Sequence, residues 1–266
     1  MEFKMGMVII FLKEIAESTI RNLRIFKNKL GTATKSKELS KVLKELKKDG
    51  ISVESNFYTS EECCRFRKKI DALIESNSTN VWIDESGADH RIYFVNEVDD
   101  DFNDFYENSK IRSILKNYTG TNEPKGMLLA ARIDAKDGNI GSGGGWHRDS
   151  PITHQFKAIC YLSDVETEHG PFQFIKKSHL KLDVFKSYLT NLFNPGQYRF
   201  NDSEVERYMN KTSKSISELT AEQGTVVYAD TKGIHRGKPI VRGSRYVLFC
   251  YFWHGEIPKH FNTLRQ

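Results

Sequence analysis

Three residues in the second half of the chain have the types and spacing of metal ligands. Trp146-His147-Arg148-Asp149 sets an imidazole and a carboxylate two positions apart, which on a strand turns both side chains to one face. A second imidazole, His235, stands 86 residues beyond Asp149, just after the strand-like run GTVVYAD. Two imidazoles and one carboxylate on one side of a metal hold non-haem Fe(II) and leave three positions open. That opening is needed where a co-substrate binds through two atoms and O2 through a third. Alone, the pattern is weak, because a histidine in an apolar stretch also serves as a hydrogen-bonded core residue.

A fourth residue adds to it. Arg245 opens the apolar run RYVLFCYFW, and alternation puts Arg245, Val247, Phe249 and Tyr251 on one face. A guanidinium on such a face needs an anionic partner, since an unpaired buried charge is very unfavourable. A dicarboxylate that chelates iron at one end and meets the guanidinium fork at the other would supply it. An internal ion pair with an acid such as Asp134, or a solvated strand end, would serve equally. Arg242 is a rival, but Gly243 after it marks a turn.

These residues need a scaffold, and the composition allows a sizeable one. The 266 residues are 38% hydrophobic and 28% charged, enough for one large buried core and too apolar for a disordered chain. The four cysteines, Cys63, Cys64, Cys160 and Cys250, have neither disulfide-framework nor zinc spacing, which predicts reduced thiols in a cytoplasm-like compartment. From Met127 the texture is β-rich: MLLAARID, the stretch Trp146 to Asp149, FKAICYLS, FQFIK, GTVVYAD and RYVLFCYFW. Short strands at this spacing predict a barrel or double-sheet jelly roll over about 127–254. Ahead of it, helices are expected near Glu38–Asp49 with a stop at Gly50, from the Thr59-Ser60-Glu61-Glu62 cap to Glu75, and over Asp101–Asn117, with a strand in ISVESNFY.

Residues 1–37 read as a separate basic arm and linker, and 38–266 as the domain. Residues 1–48 carry 12 Lys/Arg against 5 acids, a net charge of +7, whereas the rest nets −2. A nucleic-acid-binding core would carry the positive charge itself, so nucleic acid is not an expected partner. The apolar run Met5–Leu12 is too short to span a bilayer, and no cleavage site follows. Ile9, Leu12, Ile15, Ala16, Ile20 and Leu23 recur at roughly helical spacing. Residues 1–30 therefore read as an amphipathic helix, either packed against its own domain or a partner, or lying on an anionic membrane surface.

Taken together, these motifs resemble the phytanoyl-CoA dioxygenase-like branch of the Fe(II)/2-oxoglutarate-dependent oxygenases. DGISVESNFYTSEECCRFRKKIDALI, WHRDS, FKAICYLSDVETEHGPFQFIKKSH, GTVVYADTKGIHRG and SRYVLFCYFW occur in the family's order, from about Lys41 to Trp253. The resemblance implies a mainly β fold with flanking helices, a cupin-like double-stranded β-helix. It implies His147, Asp149 and His235 as iron ligands, Arg245 on the far carboxylate of 2-oxoglutarate, and Tyr161 beside it. Lys157 shares a face with Tyr161 and reads either as a further 2-oxoglutarate contact or as a solvated lysine. Fe(II), 2-oxoglutarate and O2 are the implied cofactors, with ascorbate as an accessory reductant. The implied reaction hydroxylates an unactivated C–H bond of a small-molecule, lipid or sugar-containing substrate and releases succinate and CO2. Asp149 itself favours oxygen insertion over halogenation, because a halogenase of this class lacks that carboxylate.

Some positions depart from the family pattern. Lys176-Lys177 replaces a common Pro-Gly before Ser178-His179, and His179 reads as structural. The hydroxyl often found two residues after the distal histidine is Gly237 here, leaving Ser244 or Thr225 to substitute. The loop GNIGSGGG at 138–145 reads as a mobile lid, a pocket edge or a plain connection, and 181–215 as a long insertion that could cover the pocket mouth. Two other functions are weaker readings: a catalytically silent binding protein that has kept the fold, against which the intact His147, Asp149, His235 and Arg245 set argues, and a nucleic-acid oxidative demethylase, which the acidic-leaning core disfavours.

Overall fold

The structure, a computed structural model, describes residues 36–76, 81–121, 124–150, 155–253 and 256–265, with scattered residues of the arm between Gly6 and Lys27. Those arm residues are helical, and Ile9, Leu12, Ile15, Ile20, Leu23 and Phe26 are exposed. The expected linker falls largely on residues 31–35, outside the described residues. No helix among the described residues is long and apolar enough to cross a membrane.

Among the described residues, ten strands form two antiparallel sheets. The larger runs β1 (Ile51–Glu54), β8 (Val226–Asp230), β5 (Gln155–Tyr161), β10 (Ser244–Trp253), β4 (Lys125–Asp134), β3 (Asp89–Tyr93) and β2 (Val81–Ile83). The smaller holds β7 (Ile216–Leu219), β6 (Phe172–Ile175) and β9 (His235–Gly237). This is the expected jelly roll with flanking helices.

The central strands of the large sheet are largely apolar on both faces because both are covered. On β5, Phe156, Ala158 and Cys160 pack under helices α1 (Lys37–Asp49), α2 (Ser60–Glu75) and α3 (Ser109–Thr119), against Leu46, Phe66, Ile70 and Ile114. Ile159 and Tyr161 face the small sheet and meet Phe172 and Phe174. The alternation that separates these two sets is what turns Lys157 inward.

Helix ends follow their capping residues. Thr59 and Glu62 form a reciprocal capping box at the start of α2, and Gly50 ends α1 in the left-handed region with φ 87°. The helix expected over Asp101–Asn117 is broken instead. Two short turns precede Asn108, whose side chain accepts from the Lys110 and Ile111 amides and starts α3 afresh. β1 covers only the first half of ISVESNFY, and Trp146–Asp149 is held by isolated bridges rather than a regular strand. The 181–215 insertion is helical, with α4 (Lys181–Leu189) and α5 (Asp202–Thr212). It packs around Trp146, Tyr188, Phe193, Phe200 and Tyr208.

Candidate metal and co-substrate site

A pocket opens between the sheets, and strand register builds its floor. Lys157 stands opposite Tyr251, Ile159 opposite Phe249, and Tyr161 opposite Val247; all six line the pocket, with Arg245 at the start of β10. The alternation expected along RYVLFCYFW and FKAICYLS is thus observed. From the other side, β9 brings His235. His147 and His235 are bridge partners with reciprocal backbone hydrogen bonds of 2.9 Å, which sets their rings 4.3 Å apart. The Asp149 amide donates to the Thr231 carbonyl at 3.0 Å, so the carboxylate is anchored next to both.

The three side chains converge, with one candidate ligand atom from each lying within 4.8 Å of the others. Asp149 Oδ1 is 3.5 Å from His147 Nε2 and 3.7 Å from His235 Nε2. Each ring's Nδ1 is 2.8 Å from a carbonyl, of Gly145 and Gly233 respectively. That contact makes Nδ1 the protonated nitrogen, so each Nε2 turns a lone pair toward the shared space. His235 Nε2 is buried and has no hydrogen-bond partner among the described residues. These residues fit a divalent metal: two lone pairs and a carboxylate oxygen are aimed at one point.

The electrostatics agree. Burial, then the neighbouring His147 ring, hold His235 well below an ordinary histidine, so it stays neutral. Burial pushes the Asp149 carboxyl up, but Lys157 and the two histidines outweigh it and hold it well below the usual range. A pH dependence follows for the metal-free protein. His235 is neutral when folded, so its contribution to stability is complete above the ordinary value of 6.5 and is lost as pH falls below it. The melting temperature is expected to be level above about pH 7 and to fall on acidification, with a weaker fall in His235→Asn. A melting temperature that holds or rises through that window would contradict a buried neutral imidazole.

Lys157 and Arg245 both bring positive charge into the pocket. Lys157 Nζ lies 2.6 Å from Asp149 Oδ2 and 4.3 Å from the centre of the Tyr251 ring, and is not a solvated lysine. Arg245 is 3% exposed, and its Nε has no hydrogen-bond partner among the described residues. The internal pair with Asp134 does not form, because Ser244, Arg132 and His90 surround that acid instead. Arg242 is exposed and pairs with Glu168. Burial lowers the Arg245 pKa.

The glycine-rich loop forms the pocket edge through Ser142 and Gly143. Its glycines serve close approach. A Cβ on Gly143, at φ 90°, would stand 2.4 Å from His147 Cε1, and one on Gly141 2.1 Å from the Gly237 carbonyl. Arg199 Nη1 donates to the Gly143 and Gly144 carbonyls and ties the loop down. Gly143→Ala is therefore expected to displace the His147 ring and weaken Ni(II) binding by roughly tenfold or more, on the scale of a lost supporting group. Calorimetric titration of the folded variant checks this.

Other expectations resolve differently. The Tyr161 hydroxyl accepts from the Phe172 amide at 2.9 Å and donates to the Leu219 carbonyl at 3.0 Å, so Tyr161 offers the pocket its ring. Ser244 is exposed and bonds Asp134 at 2.6 Å, while Ser142 packs onto Gly237, leaving no room for a Cβ there. His179 lies 3.3 Å from the Lys47 carbonyl, at α1. Sequence reasoning missed Arg91, which lines the pocket from β3, pairs with Asp89 and reaches Ser142 Oγ at 3.1 Å. The signal was the Asp89-His90-Arg91 spacing, which places acid and base on one strand face.

The model of the phytanoyl-CoA dioxygenase (PhyH) family matches residues 46–244, three quarters of the chain, including all three convergent side chains. The chain belongs to that family. Among solved structures, the family member is similar to the epimerase SnoN in complex with Fe3+, alpha-ketoglutarate and nogalamycin RO. Identity is 14%, the alignment covers 85% of this chain and 89% of that one, and the TM-score is 0.64. HygX from Streptomyces hygroscopicus, solved with nickel, 2-oxoglutarate and hygromycin B, gives 14% identity, coverage of 82% and 87%, and a TM-score of 0.57. The carbocyclase SnoK from nogalamycin biosynthesis gives 13%, 84% and 87%, and 0.57. A search of curated proteins finds no match.

Proposed function

We propose that this PhyH-family protein is an Fe(II)- and 2-oxoglutarate-dependent oxygenase that hydroxylates an unactivated C–H bond of a small molecule. The observation that carries the reading is the pairing of two unlike vacancies in one pocket. Two imidazole lone pairs converge on Asp149 Oδ1, and a buried guanidinium stands without a carboxylate among the described residues. Iron fits the first and a dicarboxylate fits the second.

In this reading His147 Nε2, His235 Nε2 and Asp149 Oδ1 hold the iron. Arg245 takes the far carboxylate of 2-oxoglutarate, with the Tyr161 ring as a wall and Lys157 adding positive charge. With iron bound, O2 would be the oxidant: one oxygen atom would go to 2-oxoglutarate as it becomes succinate and CO2, and the other to the substrate C–H bond. The chain's own part is to fix these groups and keep water out. Ile159, Phe172, Val247 and Phe249 line the pocket for that purpose. SnoN with nogalamycin RO and HygX with hygromycin B support a small-molecule substrate, with sugar-containing compounds the first to try.

The test is succinate release from 2-oxoglutarate across a panel of glycosylated and lipid substrates. Iron-dependent succinate, with a product heavier by one oxygen atom, is the expected result. A product with an unchanged oxygen count would replace hydroxylation with a rearrangement of the epimerase or carbocyclase kind. No iron-dependent succinate across the panel would favour a silent binding protein.

A further inference from the structure

Asp149 divides its two oxygens. Oδ1 faces the histidine nitrogens at 3.5 and 3.7 Å, while Oδ2 meets Lys157 Nζ at 2.6 Å. Lys157 is 5% exposed and pinned against the Tyr251 ring, so its charge can neither leave nor be screened by solvent. We infer that Lys157 acts as a resident counter-cation that competes with the metal for the charge of Asp149, and so makes metal affinity depend on the anionic co-substrate.

The argument is one of charge and rests on the function proposed above. Arg91 is matched by Asp89, and Asp149 by Lys157, so Arg245 already leaves the pocket one positive charge in excess. A dication entering alone raises that excess to three, with the ammonium one carboxylate away from it. A dianion brings it back to one. Metal and dianion therefore assist each other's binding beyond what direct chelation gives, and by linkage the assistance is mutual. Lys157 acts here through the charge it sets against Asp149. The role is that of a positioning residue acting through Asp149.

The test is calorimetric titration of the folded protein with Ni(II), without and with saturating 2-oxoglutarate, for wild type, Lys157→Met and Lys157→Arg. In Lys157→Met the metal becomes the sole cation for Asp149. Its affinity without 2-oxoglutarate is expected to rise by about tenfold or more, and the enhancement by 2-oxoglutarate to shrink correspondingly. Lys157→Arg keeps the charge and should keep the wild-type pattern. Lys157→Gln offers a neutral donor to Oδ2, and should behave as Lys157→Met if charge is the cause; it replaces that variant should Met not fold. Unchanged or weaker Ni(II) binding in the neutral variants, beside normal wild-type binding, would overturn the inference and leave the proposed function standing. A wild type that binds neither Ni(II) nor 2-oxoglutarate would overturn both.

Discussion

Asp149→Ala is expected to abolish metal binding and to destabilise the metal-free protein at once. The metal effect should exceed the roughly 10–100-fold typical of a lost supporting group, because a ligand atom is removed. The stability effect has a separate origin. Lys157 is buried against Asp149 at 2.6 Å, and removing one partner of a buried ion pair costs about 3–5 kcal/mol. The double variant Asp149→Ala/Lys157→Met removes both charges. It should recover most of the melting temperature and none of the metal binding. Measuring both properties across the cycle separates ligand loss from unfolding. Metal binding that returns with stability would show that Asp149 is a structural partner of Lys157 and no ligand.

Arg245→Leu should have the opposite profile. A structural arginine, paired within the fold, destabilises when removed. Arg245 has no such pair among the described residues: it is buried, Nε is without a hydrogen bond there, and burial depresses its pKa. Leucine removes the desolvated charge, so the melting temperature of the metal-free protein should hold or rise. Binding of 2-oxoglutarate should weaken on the order of 100-fold or more, since losing one partner of a buried charge pair is worth about 2–5 kcal/mol. Stability retained with affinity lost marks a residue kept for function. A large stability loss with unchanged 2-oxoglutarate affinity would assign Arg245 to the scaffold.

Local patterns made much of this site legible before the structure. Alternation is a property of each strand, so the shared face of Arg245, Val247, Phe249 and Tyr251 could be read from RYVLFCYFW alone. The capping signals at Thr59 and Gly50 are equally local. What escaped depends on contacts between distant segments. Lys157 looked ambiguous because nothing in FKAICYLS reveals that Asp149 lies 2.6 Å away. Tyr161 gave no sign that its hydroxyl bonds the Phe172 amide and the Leu219 carbonyl, on the opposite sheet. Arg91 shares a strand face with Asp89, but nothing in that local spacing reveals that β3 lines the pocket. The glycines of 138–145 read as freedom of movement, whereas Gly143 is small because the His147 ring lies against it.

The most direct test of the central claim is an anaerobic titration of the metal-free protein with Fe(II) and then 2-oxoglutarate, followed by visible absorption. A co-substrate chelated to iron within this ligand set gives a metal-to-ligand charge-transfer band. The band is expected in wild type only after both are added, absent in Asp149→Ala/Lys157→Met, and displaced to higher 2-oxoglutarate concentration in Arg245→Leu. A folded wild-type protein that binds no iron and shows no band at saturating 2-oxoglutarate would contradict the account.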